Sequence, residues 1–456
     1  MPRHPPAEPK ARTAAFEILQ AIDAGRGHSN ALLAALPEEM NERDRALATE
    51  LVYGVLRRRR ALDRQIEQVS RRPLTTIDAP VLTLLRLALY QVLFLSRVPR
   101  SAAVNESVAL ARSSRGVAAA SFTNGVLRAA CRALEEPGTR ARTFPDPGES
   151  RAAFLAETHS FPEFLVRRFL TRYGDEECAA LLEAMNRPAP GALRPTRLAG
   201  SPEALAGRLL AQGVQTAPSP YLRGALRVLH GVPQRTDLFR QGTFYIQDEA
   251  SQLVARLLLP IGSGETLVDL CAAPGGKILA AADECARGAG PLLAADLEID
   301  RLRTLRENAA RTGVEGIACV VMDATRPALR PGFNRILLDA PCSGTGIIRR
   351  HPEIRWRRSE KEIAAFARRQ ARALEQAADL LAPGGRLVYA VCSLEPEEGR
   401  ERIEALLLTR SDLQPRDARR FLPQEAWGMV DRDGFFTTLP HRDDLDGFFA
   451  AVLEKR

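Results

Sequence analysis

Apolar residues recur every three or four positions through the first 134 residues of the chain. Phe16, Leu19 and Ile22 give one example, and this spacing is the period of one face of an α-helix. Short polar breaks separate four to seven such segments, and strand signals are almost absent. The pattern therefore predicts an all-α helical domain over residues 11–134, preceded by a disordered arm at residues 1–10.

The pattern changes after residue 134. Proline and glycine are frequent over residues 135–150, which predicts a linker between two domains. Residues 151–240 combine a helical pattern with short strand-like alternations. We expect a small α+β subdomain of RRM-like architecture in that region.

Strand and helix patterns alternate over residues 241–456. This alternation favours an α/β fold with a doubly wound, mostly parallel sheet, because parallel strands need helical crossovers between them. The clearest predicted helices are residues 301–311 and 359–381. The predicted strands are residues 266–270, 292–296, 317–323, 335–339 and 386–391.

Composition narrows the class of protein. A chain of 456 residues exceeds what one core holds, so we expect two to four domains. An apolar share of 45% and a charged share of 26% exclude wholesale disorder and fibrous repeats. The seven cysteines form neither a CxxC pair nor a Cys–His cluster, so no disulfide framework and no metal site is indicated. We expect a cytoplasmic protein, because the first residues hold no apolar signal segment.

The charge balance is basic, with a net charge of +8. Lysine occurs only at positions 10, 277, 361 and 455, so arginine supplies nearly all of the basic residues. Two interpretations remain open: a GC-rich genome that favours arginine codons, and selection for bidentate phosphate binding. Lys277 stands out under either interpretation, because it is the one lysine inside a motif.

A loop of small residues joins the first strand of the α/β part to its helix. Its glycines allow a cofactor to approach the backbone, and the helix N-terminus offers unpaired N–H groups. An ordinary strand-to-helix turn has the same composition and is the alternative. The loop consists of Cys271, Ala272, Ala273, Pro274, Gly275, Gly276 and Lys277.

Carboxylates end the next three predicted strands, at Asp296, Asp323 and Asp339. A parallel sheet brings such strand ends to one crevice, although any one of these residues alone could be a helix N-cap. The loop spacing matches neither the dinucleotide motif nor the triphosphate motif. We therefore expect a nucleoside cofactor without a pyrophosphate, such as S-adenosylmethionine, with Asp296 placed to accept hydrogen bonds from its ribose hydroxyls.

Two cysteines follow strands on the same predicted edge. Cys342 comes shortly after the strand at residues 335–339, and Cys392 directly follows the strand at residues 386–391. An isolated cysteine is most often a small buried filler. Two thiols beside a cofactor crevice favour chemistry instead.

Three motifs resemble those of the RNA cytosine-5 methyltransferases: CAAPGGK at residues 271–277, DAPCSGTG at residues 339–346, and CS at residues 392–393 followed by PEE at residues 396–398. Supporting stretches along almost the whole chain resemble the bacterial 16S ribosomal RNA methyltransferases of the Sun or Fmu family. The resemblance implies a Rossmann-like class I methyltransferase domain that uses S-adenosylmethionine, preceded by a NusB-like helical RNA-binding domain. The chain departs from relatives at Val391, Gly399 and Thr196, where they often have threonine, asparagine and asparagine.

The resemblance also implies roles for the two thiols. It makes Cys392 the nucleophile and gives Cys342 a part in product release. DNA cytosine methyltransferases place their nucleophile in a Pro-Cys pair, which here would be Cys342, so this assignment rests on the family alone. A thiolate that adds at C6 of cytosine makes C5 able to attack a methyl group. Asp339 would then contact or protonate ring N3 as a general acid.

Basic and aromatic residues directly follow the Cys342 turn. They combine phosphate-binding groups with a stacking ring, and the chemistry needs an unstacked base in single-stranded RNA. A solvated charged loop is the alternative. The expected RNA contacts are Arg349, Arg350, His351, Arg355, Trp356 and Arg358.

The sequence thus predicts an S-adenosylmethionine-dependent RNA cytosine-5 methyltransferase that acts on 16S ribosomal RNA, free or early in assembly. We expect a monomer without a metal ion and without membrane association. One alternative keeps the chemistry but changes the substrate to tRNA or another rRNA cytosine. The other is a non-catalytic RNA-binding or antitermination scaffold.

Overall fold

The computed structural model describes residues 11–134, 150–285 and 289–456. Its internal contacts separate two compact units, which are Met1–Asn186 with His351–Arg357, and Arg187–Arg350 with Arg358–Arg456. The predicted arm at residues 1–10 lies outside the described residues, as does the predicted linker at residues 135–150 except for its last residue.

The first unit contains helices and no strands among its described residues, which confirms the all-α prediction for residues 11–134. Leu51, Val55 and Leu62 illustrate the cause, because these apolar positions at helical spacing form one buried face. The helices are α1 (Ala11–Asp23), α2 (Ser29–Ala34), α3 (Glu42–Ser70), α4 (Ala79–Phe94), α5 (Arg100–Arg115), α6 (Val117–Ala133), α7 (Arg151–His159), α8 (Glu163–Tyr173) and α9 (Asp175–Ala184).

Helices α3 and α4 approach closely at Gly54. A Cβ atom at this position would lie 1.9 Å from Cζ of Tyr90, so this crossing requires glycine. The Tyr90 hydroxyl donates a hydrogen bond of 2.5 Å to Glu50 of α3. Helix α4 is buried on nearly every side, and no helix in the described ranges is long and apolar enough to cross a membrane.

A small four-stranded sheet opens the second unit. Its strand order is β2-β3-β1-β4, and every neighbouring pair is antiparallel. The elements alternate as in a ferredoxin-like β-α-β-β-α-β unit. They are β1 (Gly191–Pro195), α10 (Pro202–Ala211), β2 (Gln215–Pro218), β3 (Leu226–His230), α11 (Asp237–Arg240) and β4 (Phe244–Ile246).

The predicted boundaries of this subdomain, residues 151–240, need correction at both ends. Helices α7 to α9 belong to the first unit, where Arg60 of α3 binds Glu157 at 2.6 Å and donates its backbone N–H to the Ser160 hydroxyl at 2.9 Å. Strand β4 lies beyond residue 240 and pairs with β1, with Leu193 opposite Ile246. Neither long-range pairing is visible in local sequence pattern.

A large eight-stranded sheet forms the rest of the second unit, with the order β10-β12-β9-β8-β5-β6-β7 and β11 paired to β12. Strands β5 to β9 pair in parallel, and β12 is antiparallel to its neighbours. This confirms the doubly wound, mostly parallel α/β fold. The strands are β5 (Leu267–Asp269), β6 (Leu292–Asp296), β7 (Ile317–Val321), β8 (Phe333–Asp339), β9 (Leu381–Val391), β10 (Leu413–Arg416), β11 (Phe436–Thr438) and β12 (Phe448–Lys455).

Helices connect the parallel strands, and each of the two predicted helices overlaps an observed one. The helices in this part of the chain are α12 (Glu249–Arg256), α13 (Gly276–Glu284), α14 (Ile299–Thr312), α15 (Ile354–Arg357), α16 (Glu360–Leu380), α17 (Arg400–Thr409) and α18 (Pro440–Asp443). Of these, α13, α14 and α16 lie between parallel strands. Because β5, β6, β8 and β9 are parallel, their carboxyl ends meet at the same edge of the sheet.

The short segment at residues 351–357, which includes α15, is part of the first unit. The Trp356 indole N–H donates to the carbonyl of Leu56 at 2.7 Å. Glu353 is 1% exposed, and its carboxylate accepts the backbone N–H of Ser29 at 3.0 Å and the Ser29 hydroxyl at 2.9 Å. A segment far away in sequence thus completes the packing of the helical unit.

We predict that Glu353→Gln makes the helical unit less sensitive to acid. Burial raises the pKa of Glu353, but hydrogen bonds from His28 and Ser29 lower it more, from 4.5 to about 2. Ionised Glu353 therefore stabilises the fold above about pH 4.5, and this stabilisation, about 3 kcal/mol, is lost as the pH falls toward 2.

The measurement is urea unfolding of both proteins from about pH 5 to pH 2, followed by Trp356 fluorescence. Both proteins carry Trp427→Phe, which removes the other of the two tryptophans. Wild type should lose more free energy of unfolding than Glu353→Gln over this range. Equal losses would show that the Glu353 contacts do not stabilise the unit.

Candidate active site

The loop at residues 271–277 joins the end of β5 to the start of α13. Gly275 precedes the helix in the left-handed region (φ +108°), and a Cβ atom there would lie 2.9 Å from Cγ of Leu305. The Ala273 N–H donates a hydrogen bond of 3.1 Å to Asp296 at the end of β6. The loop and Asp296, which the sequence assigned to one cofactor, are therefore in direct contact.

A cleft opens beside this loop at the edge of the large sheet. Three residues predicted to bind the cofactor line it together: Cys271, Asp296 and Asp323. The carboxylate of Asp323 accepts the backbone N–H and the hydroxyl of Thr325, each at 2.9 Å, and the backbone hydrogen bond lowers the pKa of Asp323. Other lining residues are Leu297, Glu298, Arg301, Met322, Pro341, Arg369, Gln370 and Ala373.

Lys277, the lysine inside the loop motif, reaches Asp339 at the end of β8. Its ammonium group lies 2.5 Å from Asp339 Oδ2 and 5.2 Å from the centre of the Phe448 ring. Burial lowers the pKa of Lys277, but the charge of Asp339, its hydrogen bond to Lys277 and the other acidic groups nearby together raise it more, so the net shift is upward. A charged Lys277 thus holds the Asp339 carboxylate from one side.

The two candidate catalytic thiols lie together. The Sγ atoms of Cys342 and Cys392 are 3.3 Å apart, and both side chains are partly buried. A hydrogen bond in which the Cys342 thiol donates to Cys392, together with burial, raises the pKa of Cys342 well above its usual value. Cys342 therefore keeps its proton at neutral pH.

Glycines allow the loops that contain Cys342, Cys392 and Gly447 to pack against one another. The Gly346 N–H donates to the carbonyl of Cys392 at 3.1 Å, and the Gly447 N–H donates to the carbonyl of Gly346 at 2.9 Å. A Cβ atom at Gly346 would lie 2.0 Å from the carbonyl oxygen of Gly447. Both glycines are therefore needed for the observed packing of the Cys342 loop.

Asp269, which the sequence reasoning did not single out, lies among these groups. It ends β5, is 1% exposed, and accepts the Cys271 N–H at 3.2 Å. Burial and the nearby charge of Asp339 raise its pKa to about 8. Asp269 ends a strand, as Asp296 and Asp339 do, and this position in the sequence could have identified it as a candidate site residue.

The structure places the residues expected to contact RNA in intramolecular contacts. Arg350 binds Asp446 at 2.5 Å and Asp248 at 2.8 Å. Arg358 donates to the carbonyl of Ser343 at 2.7 Å. These two arginines are thus paired within the chain, and their contact with RNA stays a prediction.

The other residues expected to contact RNA are Arg349, His351, Arg355 and Trp356. The Arg349 guanidinium lies 2.8 Å from the Asp444 carboxylate. Arg355 is fully buried in the helical unit, where it donates to the side chain of Asn186 at 2.8 Å. Arg355 thus has no exposed surface to offer to a phosphate, and His351 and Trp356 belong to the same helical unit.

Comparison with known proteins identifies the family. The family model described as 16S rRNA methyltransferase RsmB/F matches residues 256–454, the NusB family matches residues 9–132, and an RsmF/B-like ferredoxin-like domain matches residues 161–235. The probable ribosomal RNA small subunit methyltransferase B of Bacillus subtilis is 34% identical over 458 residues, covering 98% of each chain. The chain belongs to the RsmB/F family of 16S rRNA methyltransferases. It is therefore an enzyme of the methyltransferase class.

Further relatives agree with this membership. Ribosomal RNA small subunit methyltransferase B of Salmonella agona is 36% identical over 455 residues, covering 97% of this chain and 98% of the relative. The crystal structure of PH0851 matches with a TM-score of 0.82 at 25% identity, covering 98% of this chain and 99% of that one. The structure of NSun6 from Pyrococcus horikoshii with SFG matches with a TM-score of 0.57 at 25% identity, covering 65% of this chain and 98% of that one.

The three departures from this family have local structural explanations. A Cβ atom at Gly399 would lie 3.0 Å from Cγ of Phe449, so an asparagine there needs the ring to shift. The Thr196 hydroxyl donates to the carbonyl of Gly242 at 2.7 Å. This hydrogen bond holds the residue that directly follows β1. Val391 is fully buried at the end of β9, where its methyl groups need no hydrogen-bond partner.

We predict that Asp269→Asn removes a pH-dependent loss of stability. Because the folded-state pKa of about 8 lies above the unfolded value of 3.8, protonated Asp269 stabilises the fold fully below pH 3.8. This contribution is lost progressively as the pH rises toward 8. Asparagine keeps a side-chain acceptor for the Cys271 N–H and does not titrate.

Denaturant unfolding of wild type and Asp269→Asn at several pH values tests this prediction. The stability of wild type relative to the variant should fall between about pH 4 and pH 8 and then become constant. A difference that does not change with pH would contradict the raised pKa.

Proposed function

We propose that this chain transfers a methyl group from S-adenosylmethionine to C5 of a cytosine in 16S ribosomal RNA, through a covalent bond between Cys392 and C6. The observation that carries the proposal is the pair of thiols, Cys342 and Cys392, 3.3 Å apart. Both thiols lie at the edge of the large sheet that also carries Asp339 and the cleft. The family and the printed names of its relatives support the RNA substrate.

The cleft fits a nucleoside cofactor of this kind. Asp296 lines the cleft and is 4% exposed. Its carboxylate accepts the N–H groups of Ala273 and Glu298, each at 3.1 Å, and a carboxylate at this strand end suits the hydroxyls of a ribose. Asp323 lies further along the same cleft, and Cys271 is the loop residue that lines it. When bound there, S-adenosylmethionine supplies an electrophilic methyl group.

Cys392 performs the first step on the RNA. Its thiolate forms a bond to C6 of the cytosine, and electron density moves to C5 and N3 of the ring. As a general acid, Asp339 donates a proton to N3 as negative charge develops there, and the ammonium of Lys277, 2.5 Å from Asp339 Oδ2, stabilises the carboxylate that remains. C5 then has the character of an enamine carbon and accepts the methyl group.

Release of the product breaks the bond between Cys392 and C6 of the cytosine. The C5 proton leaves to a base, the C6–S bond breaks, and the aromatic ring of methylated cytosine is restored. Cys342 stands next to the sulfur that departs, and its raised pKa keeps it from competing as the attacking thiolate. It assists the elimination directly or through a water molecule.

The two cysteine variants should separate these roles. Cys392→Ala should abolish methyl transfer and leave no RNA–protein adduct, because no thiolate attacks C6. Cys342→Ala should accumulate the adduct, because the bond forms but breaks slowly. The assay is methyl transfer with 16S RNA, followed by denaturing gels that resolve RNA-linked protein.

Cys319→Ala is the matched control, since Cys319 is a partly buried thiol on β7 outside the proposed machinery. It should behave as wild type. Adduct accumulation in Cys392→Ala and none in Cys342→Ala would exchange the two roles.

The substrate is tested separately by bisulfite mapping of 16S RNA from a strain that lacks this gene. Complementation with wild type should restore protection of one cytosine, and complementation with Cys392→Ala should not. If no 16S cytosine changes status while a tRNA or another rRNA cytosine does, the chemistry stands and the substrate is wrong. RNA binding without any methyl transfer would favour the scaffold alternative. The monomeric state stays a prediction.

A further inference from the structure

One buried carboxylate joins the two cysteine loops. Glu398 is fully buried. Ser343, which follows Cys342, donates its backbone N–H to Glu398 Oε1 at 2.8 Å and its hydroxyl to Oε2. Ser393, which follows Cys392, donates its hydroxyl to Oε2 at 2.5 Å. The residue after each thiol is therefore bound to the same side chain.

Further contacts fix Glu398 in place. Gln370 of α16 donates to Glu398 Oε1 at 3.0 Å and to the carbonyl of Pro341 at 2.9 Å. The Tyr389 hydroxyl donates to the backbone carbonyl of Glu398 at 2.5 Å. Glu398 thus cannot move without disturbing β9, α16 and both thiol-bearing loops.

A carboxylate oxygen can only accept hydrogen bonds, so both serine hydroxyls must point toward Glu398. Burial of a carboxylate opposes folding, and an apolar side chain could fill the same space at less cost. A carboxylate is suited to this place because its two oxygens receive donors from both loops at once. These contacts join the two loops in addition to the backbone hydrogen bond from Gly346 to the carbonyl of Cys392 at 3.1 Å.

We propose that Glu398 is a positioning residue that sets the distance between the two thiols, so that Cys342 acts on the adduct formed by Cys392. This inference rests on the proposed function of the two cysteines. Without Glu398 the Cys392 loop still carries its nucleophile, but the residues that follow the two thiols lose the side chain that binds both of them. Loss of the Glu398 carboxylate should therefore slow product release more than it slows the addition of Cys392 to C6.

The test is Glu398→Gln, compared with wild type in steady-state methyl transfer and in the adduct assay. Glutamine replaces one acceptor oxygen with an NH₂ donor, so it cannot accept both from the Ser343 N–H and Gln370 at one position and from the two serine hydroxyls at the other. We expect kcat to fall about tenfold or more, with KM for RNA within about twofold of wild type. The fraction of RNA-linked protein should rise, as in Cys342→Ala.

Glu404→Gln is the matched control. Glu404 lies on α17, is exposed, and forms a surface pair with Arg400 at 3.5 Å. It should have wild-type kcat and no accumulated adduct. Far-UV circular dichroism checks that each variant is folded, and if Glu398→Gln does not fold, Ser393→Ala replaces it, because that change removes a single donor.

A double variant distinguishes positioning from general loss of structure. If Glu398 acts through Cys342, Cys342→Ala with Glu398→Gln should be no slower than Cys342→Ala alone. Multiplied losses in the double variant, or wild-type kcat with no adduct in Glu398→Gln, would overturn the inference. The proposed function fails by a different result, which is full activity of Cys392→Ala.

Discussion

The parallel pairing of β8 between β5 and β9 is the constraint on which the rest of the site depends. Asp339 at the end of β8 lies opposite Ala390 of β9, so the loops that carry Cys342 and Cys392 leave the sheet side by side. On its other side β8 pairs with β5, which brings Lys277 of the following loop to Asp339. The two thiols are fifty residues apart in sequence, and the register of β8 against β9 brings them together.

The elements of this edge were predictable because they depend on local pattern. Apolar runs that end in a carboxylate or a thiol marked β6, β8 and β9, and alternation with helices indicated a parallel sheet. In such a sheet all carboxyl ends share one edge, so Asp296 and Cys392 could be assigned to one site before the strand order was known. The 3.3 Å contact of the thiols could not be foreseen, because it depends on which strands are neighbours.

Other features escaped sequence reasoning for a common physical reason. Arginine is treated as exposed when only its neighbours in sequence are known, yet Arg355 is fully buried and Arg350 joins two carboxylates. Glu398 stood in a recognised motif, but its partner Ser343 is 55 residues away. Part of the arginine excess thus serves internal pairing, which neither the genomic nor the phosphate-binding interpretation anticipated.

The most direct measurement identifies the residue bonded to the RNA. With 16S RNA that contains 5-fluorocytidine, C5 has no proton to lose after methyl transfer, so the C6–S bond remains. Trypsin separates the candidates, because Cys392 lies in the peptide of residues 387–400 and Cys342 in the peptide of residues 336–349. Mass spectrometry should find the nucleotide on Cys392. A nucleotide on Cys342, or none on either peptide, would contradict the account.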